Sequence, residues 1–120
     1  MIEILSRSHD NILGIKATGK VTAEDYETVI IPKLDSLLAE HDRCKFMYYL
    51  SSEFEGFELG AMWDDAKYAG GHIDKFDKVA LVGGPKWIEW STKISSLFIK
   101  AEVKTFPLEQ LDEAWNWLEG

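Results

Sequence analysis

The sequence is poor in the residues that cross-link small proteins and in those that bind nucleic acids. Cys44 is the only cysteine, so the chain cannot form an internal disulfide. Basic residues number 13 against 21 acidic ones, and the net charge of −8 argues against nucleic-acid binding, which needs a basic surface. No apolar run approaches the roughly 20 residues of a membrane-spanning helix, and the first residues lack the pattern of a signal peptide. We therefore expect a cytoplasmic protein.

The composition is typical of a chain that folds around its own core. Hydrophobic residues make up 46% of the 120 residues and charged residues 28%. A chain of this length can bury roughly two-thirds of its unfolded surface without disulfides. There are no repeats, linkers or low-complexity tracts. The sequence therefore predicts a single domain over residues 1–120.

Short apolar segments alternate with helical patterns along the chain. Two segments rich in β-branched residues, Ile2 to Leu5 and Ile12 to Thr18, predict an antiparallel hairpin. Further strands are predicted at Lys45 to Leu50, Lys78 to Val82 and Ala101 to Phe106. Four helices are predicted, beginning near Thr22, Glu58, Pro85 and Pro107. The expected fold class is α/β, with a five-stranded mixed sheet whose first strand is antiparallel and whose other strands are parallel.

The first two predicted helices contain local signals. Thr22 and Asp25 form a capping pattern at the start of the first helix. Pro32 lies inside that helix and predicts a kink rather than an end, because proline removes one hydrogen-bond donor. The second helix follows a predicted acidic loop from Ser51 to Gly56. Its predicted apolar stripe is Leu59, Met62, Trp63 and Ala66.

Three short segments add a family resemblance to this order of elements. They are the Ile31-Pro32-Lys33-Leu34 step, the stretch from Phe57 to Trp63, and the Val82-Gly83-Gly84 step. With the element order, they resemble the SpoIIAA-like branch of the STAS proteins over essentially the whole chain. The resemblance implies a STAS/SpoIIAA-like mixed sheet with helices largely on one face, no metal and no established catalytic residue. It also implies kinship with CRAL-TRIO lipid-transfer domains.

Anti-sigma-factor antagonists of the wider family have a phosphorylated serine where the second helix begins. The corresponding stretch from Phe54 to Leu59 has no hydroxyl, and Ser51 and Ser52 lie several residues earlier. Glu55 and Glu58 already place negative charge at this position. The sequence therefore departs from the phosphorylation pattern of these relatives.

The helix predicted after Pro85 combines tryptophans with lysines. Between residues 78 and 104 the chain has five lysines against two glutamates, whereas the flanking parts are acidic. Helical spacing places three lysines on one side, at Lys86, Lys93 and Lys100. An adjoining arc holds Trp87, Trp90, Ile94, Leu97 and Phe98. This composition is typical of a helix that lies among lipid headgroups, with its lysines toward anionic lipid.

Two other interpretations of this helix remain open. The tryptophan arc could face the core, with the lysines as its solvated shoulder. A second apolar edge with Ile88 and Ile99 could pack on the sheet instead, and this would leave the tryptophans exposed as an interaction site. Both interpretations hold if the helix packs its tryptophan arc inward in a closed state and swings outward to lipid about a hinge at Gly83 and Gly84.

Apolar residues near the carboxyl ends of the predicted strands could line a ligand pocket. Open α/β sheets usually bind ligands at this edge. The candidate ligand-binding residues are Phe46, Tyr48, Met62, Trp63, Trp87, Trp90, Ile94 and Phe98. Core packing is the alternative for each of them. Trp117 falls opposite the apolar arc of the last helix and would contact a second copy of the chain.

Catalytic and metal-binding patterns are weak. His72 lies near several aspartates, but their spacing matches no known metal site, and no nucleophile motif surrounds Ser51. Cys44 has cationic neighbours in Arg43 and Lys45, which lower a thiol pKa, yet a cysteine that enters a strand is most often inert packing. We expect no enzyme, no metal and no cofactor.

The sequence predicts a non-enzymatic binding module. It would take an apolar small molecule or lipid between the second and third predicted helices and associate reversibly with an anionic membrane surface, at the inner face of the membrane. The alternative is a protein-interaction domain, similar to an anti-sigma-factor antagonist without its serine, that docks a partner at the acidic start of the second helix. A homodimer fits either function, and no nucleic-acid partner is expected.

Overall fold

The computed structural model describes residues 1–83 and 100–120, and within them a mixed sheet of five strands. The strands lie side by side in chain order as β1 (Ile2–Ile4), β2 (Ile12–Val21), β3 (Cys44–Phe57), β4 (Phe76–Gly83) and β5 (Glu102–Pro107). β1 is antiparallel to β2, and every later pair is parallel. The predicted mixed sheet is confirmed.

Three helices pack against this sheet in the described part of the chain. The first, α1, is α-helical over Ala23–Asp25, a π-helix over Tyr26–Ile30 and α-helical again over Ile31–Glu40. The second, α2, spans Leu59–Gly71, and the third, α3, spans Leu111–Glu119. Short 3-10 turns occupy Ile73–Lys75 and Leu108–Gln110. The fourth predicted helix, which would follow Pro85, lies outside the described residues.

The start of α1 and its passage past Pro32 follow from two local features. The Thr22 hydroxyl accepts a hydrogen bond from the Asp25 amide at 3.1 Å, and the Asp25 carboxylate accepts one from the Thr22 amide at 2.9 Å. This reciprocal capping box confirms the predicted start. The helix continues through Pro32 as predicted, because the turn before it widens so that the Ile31 amide bonds the Tyr26 carbonyl, five residues back.

The sheet has an apolar core on each face. On one face, α1 and α2 cover the larger cluster, which includes Tyr26, Ile30, Leu34 and Ala61. On the other face, α3 covers a smaller cluster through Ala114, Trp115 and Leu118. Among the described helices, α1 and α2 thus lie on one face of the sheet and α3 lies on the other.

Two lysines on the sheet hold the carboxyl end of α3. Lys45 and Lys78 are directly opposite each other on β3 and β4. Lys45 Nζ donates to the Leu118 carbonyl at 2.6 Å, and Lys78 Nζ donates to the Trp117 carbonyl at 2.9 Å. Both ammonium groups meet the negative end of the helix dipole.

Trp117 packs on the sheet within its own chain. Its ring lies 6.0 Å from the Phe106 ring, and Lys78 Nζ lies 5.1 Å from its centroid. Trp117 is therefore partly buried against the sheet, and its contact with a second copy of the chain stays a prediction. A homodimer stays a prediction.

Two segments predicted as loops belong to strands. β3 continues through Ser51 to Phe57, since its second half pairs with the end of β2 across two register shifts. The left-handed backbone of Gly19 (φ 65°) and Gly56 (φ 130°) accommodates this irregular pairing. Gly83 is the last residue of β4, in register with Leu50 on one side and Pro107 on the other. Such pairing disfavours a hinge at Gly83 itself, and Gly84 lies outside the described residues.

Candidate functional site

The carboxyl ends of β2 and β3 meet the beginnings of α1 and α2. The Glu58 amide donates to the Val21 carbonyl at 2.9 Å, so α2 starts where the two strands end. A Cβ on Gly60 would lie 3.0 Å from the Ala23 Cβ, which means that the first turns of α1 and α2 are in close contact. Small residues at these positions let the two helix starts share one edge of the sheet.

Leu59 and Trp63 form an exposed apolar pair on α2, which we call the α2 patch. Leu59 is 90% exposed and Trp63 is 67% exposed. Four residues apart on a helix, their side chains are neighbours. Ala61, on the inward side of the same turn, is fully buried. The predicted stripe of α2 is therefore wrong for Leu59 and Trp63, because α2 packs inward through Ala61 and Tyr68.

Charged residues flank the α2 patch along the chain, with carboxylates before it and a lysine after it. Glu55 and Glu58 are exposed and precede the patch directly, while the exposed Lys67 follows Trp63 by one turn. Glu58 directly precedes the amino end of α2, where the helix dipole favours negative charge, whereas Glu55 belongs to β3. The patch is thus an apolar surface between carboxylates and an ammonium group.

Beneath this edge, Phe46 and Tyr48 are part of an aromatic core. Their rings meet edge to face with centroids 4.6 Å apart, and both residues are 1% exposed. Tyr48 also meets Phe57 at 6.2 Å, and its hydroxyl lies 3.0 Å from the Tyr26 hydroxyl. Core packing accounts for their position, and contact between either ring and a ligand stays a prediction.

The other predicted site residues fall mostly outside the described part of the chain. These are Lys86, Lys93, Gly84, Trp87, Trp90, Ile94, Phe98 and the side chain of Met62. Lys100 is described and exposed, and its Nζ pairs with Asp74 at 3.0 Å. Of the predicted ligand residues, the structure brings Phe46 and Tyr48 into contact and places Trp63 on the surface.

The two serines before α2 have different environments. Ser51 is 8% exposed, and its hydroxyl donates to the Ala17 carbonyl at 2.9 Å. Ser52 is exposed on β3. Neither serine occupies the start of α2, where Glu58 and Leu59 stand.

The residues considered for catalysis are engaged with other groups. Burial raises the pKa of the Cys44 thiol to about 12, with Asp77 adding to the effect and Arg43 opposing it. His72 stacks on Tyr68 with centroids 4.0 Å apart, and its Nδ1 bonds the Tyr68 carbonyl at 2.9 Å.

Two of the aspartates near His72 form ion pairs with other residues. Asp74 pairs with Lys100, and Asp77 pairs with Arg43. Within residues 1–83 and 100–120, no three histidine, cysteine or acidic side chains are grouped to hold a metal ion. Cys44 is thus a buried packing residue, as the alternative from the sequence had it.

The fold agrees with what the comparisons with known proteins found. The SpoIIAA-like family matches residues 12–119, nearly the full length. The chain belongs to the SpoIIAA-like family. The chain is also similar to an uncharacterised protein from Shewanella loihica PV-4, whose crystal structure has a SpoIIAA-like fold. The two sequences are 36% identical, and the match covers 98% of this chain and 93% of the Shewanella protein. The two structures superpose with a TM-score of 0.75. No curated protein matches the sequence.

The described helices were compared with the length and hydropathy that a membrane-spanning helix needs. None of them is both long and apolar enough to span a bilayer.

The exposure of Leu59 is the feature of the site that sequence reasoning missed. Helical spacing groups Leu59 with Trp63 as an inward stripe, whereas the contact between Gly60 and Ala23 turns both side chains outward. Gly60 and Ala61 were the available signal, because small residues mark the side of a helix that approaches another element closely.

Proposed function

We propose that this SpoIIAA-like protein is a non-enzymatic binding module that holds an apolar or lipid-like ligand against the α2 patch. The observation that supports the proposal is the exposure of Leu59 and Trp63 as neighbours, at 90% and 67%. Large apolar side chains that share one exposed surface generally mark a place of contact. The patch lies at the carboxyl ends of the strands, where open α/β sheets usually bind ligands.

The first test measures how much Trp63 contributes to the binding of the apolar ligand. Burial of an indole contributes about 2 kcal/mol, so Trp63→Ala should weaken ligand binding about 30-fold, whereas Trp63→Phe should keep most of it. Native mass spectrometry of protein purified from cells would show a retained apolar molecule. Co-sedimentation with phosphatidylcholine vesicles, with and without phosphatidylglycerol, measures lipid affinity.

The control for Trp63 is Glu27→Ala, which changes an exposed residue of α1 outside the patch. It should leave both measurements unchanged. Folded wild-type protein that retains no apolar molecule and does not bind vesicles would contradict the proposal. Equal binding by Trp63→Ala and wild type would do the same.

The membrane part of the proposal depends on Lys86, Lys93 and Lys100. Each lysine near an anionic surface contributes about 1 kcal/mol, so vesicle binding should require phosphatidylglycerol and weaken roughly fivefold for each lysine removed. Lys100→Ala should have the smallest effect, because Asp74 already pairs with that ammonium group. Lys104→Ala changes an exposed lysine on β5, and its vesicle binding is the value with which the other lysine variants are compared. Vesicle binding that is independent of anionic lipid argues against this part.

A protein partner is the second candidate, and the exposed Glu55 and Glu58 beside the patch favour it. Carboxylates next to apolar side chains fit a partner segment that is both basic and apolar. In this case the wild type should bind no lipid and should recover a partner protein from lysate. Changing Glu55 and Glu58 to Lys should abolish the binding of that partner. Retention of that partner by the charge-reversed protein would exclude this docking mode.

A further inference from the structure

A cleft lies at the opposite end of the sheet, between the second half of α1 and the connection from β1 to β2. It encloses about 390 Å³, within the range of small-molecule sites. Polar side chains make up more than half of its lining, and Ile4 and Leu37 contribute partly exposed apolar side chains. The cleft is separate from the α2 patch and plays no part in the function proposed above.

The loop wall of the cleft is held in one conformation by its own hydrogen bonds. The Ser8 hydroxyl accepts from the Gly14 amide at 3.0 Å and lies 3.3 Å from the Gly14 carbonyl, to which it donates. His9 and Ile12 exchange both backbone hydrogen bonds, at 3.1 and 2.8 Å. Asp10, in the turn between them, has a left-handed backbone (φ 51°) that aspartate tolerates. A wall fixed in advance lowers the entropy cost of binding.

The helix wall places opposite charges at its two ends. Lys33, Ser36, Leu37 and Glu40 line the cleft from one face of α1. Lys33 and Glu40 are seven residues apart, which corresponds to about 10 Å along the helix axis. Both side chains are exposed, and neither forms an ion pair with any residue of the described ranges. The ammonium and the carboxylate are therefore available to a ligand.

We infer that this cleft binds a short peptide of about three residues with free termini. An extended tripeptide spans about 10 Å, which matches the rise of the helix backbone from Lys33 to Glu40. Its carboxylate pairs with Lys33, its ammonium group pairs with Glu40, and its apolar side chains lie on Ile4 and Leu37. A ligand with a single charge satisfies one end of the cleft only.

Calorimetric titration with trileucine tests the inference. The free peptide should bind with a Kd below about 1 mM, and its N-acetylated and C-amidated forms should each bind at least fivefold more weakly, as expected for a partly exposed charge pair of about 1 kcal/mol. Lys33→Gln should weaken the free peptide by the same factor and leave the C-amidated form unchanged. Glu40→Gln should leave the N-acetylated form unchanged.

Lys75→Gln changes an exposed lysine outside both the cleft and the α2 patch; this matched control should bind trileucine as wild type does. All of these variants change exposed side chains, so circular dichroism should show an intact fold. Absence of binding up to 10 mM trileucine overturns the inference. So does a Lys33→Gln variant that weakens the free and the amidated peptides equally, because the lysine would then not meet the peptide carboxylate.

Discussion

Gly14 is the residue at which the sheet and α3 come closest. A Cβ at this position would lie 2.8 Å from two ring atoms of Trp115, which is itself 1% exposed and cannot move aside. Gly14→Ala should therefore lower the free energy of unfolding by about 2 kcal/mol through overpacking. Urea denaturation measures the change. Gly71→Ala, where an added Cβ meets nothing within 4 Å, should be neutral or slightly stabilising, and equal losses in the two variants would contradict this packing argument.

Cys44 gives a pH-dependent prediction at the same scale. Because burial raises the pKa of its thiol from 9.0 to about 12, the native protein should react with iodoacetamide at pH 8 far more slowly than the urea-unfolded protein. The raised pKa also means that the unfolded thiol ionises first, so this group's contribution to stability is present below pH 9 and is lost between pH 9 and 12. Cys44→Ala should remove that part of the alkaline loss. Rapid alkylation of the native thiol at pH 8 would show that the side chain is accessible.

At the scale of elements, α3 depends on the two lysines at its carboxyl end. Lys45→Met and Lys78→Met keep the apolar stem but remove the donor to the Leu118 or Trp117 carbonyl. Each should lower the free energy of unfolding by about 1 kcal/mol, from the lost charged hydrogen bond and the lost dipole interaction. Thermal denaturation followed by far-ultraviolet circular dichroism measures the loss. Lys20→Met, an exposed lysine on β2, should change stability little, and a similar loss in that variant would exclude the capping explanation.

Whether a segment is a helix or a strand could be predicted from the sequence wherever its apolar residues follow a single periodicity. The capping box of α1 and the five strands are local patterns, and the structure confirms them. The direction that α2 faces was not predicted, because the apolar spacing of Leu59 and Trp63 was weighed above the small Gly60, whose approach to Ala23 joins parts of the chain that are far apart in sequence. The continuation of β3 past Ser51 was missed for a similar reason, since its polar and glycine residues resemble a loop until β2 pairs with them.

At the scale of the whole molecule, the α2 patch and the peptide cleft lie at opposite ends of β2. Leu13 lines the cleft and Val21 ends the strand beside α2, and eight residues of strand separate them by about 26 Å. Sites this far apart without shared partners behave independently. The double variant Trp63→Ala with Lys33→Gln should therefore weaken each ligand by the same factor as the single variant at that ligand's own site. Titration of each ligand in the presence of the other checks this, and a more than threefold change in either Kd would reveal coupling through the sheet.

The bond between the Ser51 hydroxyl and the Ala17 carbonyl limits how this edge of the molecule can be modified. A protein kinase needs its target hydroxyl free and the surrounding chain accessible. For Ser51, the end of β3 would have to separate from β2 before transfer, which would break the pairing that positions α2. Enzymes that act on folded surfaces therefore do not reach Ser51 while the sheet is intact.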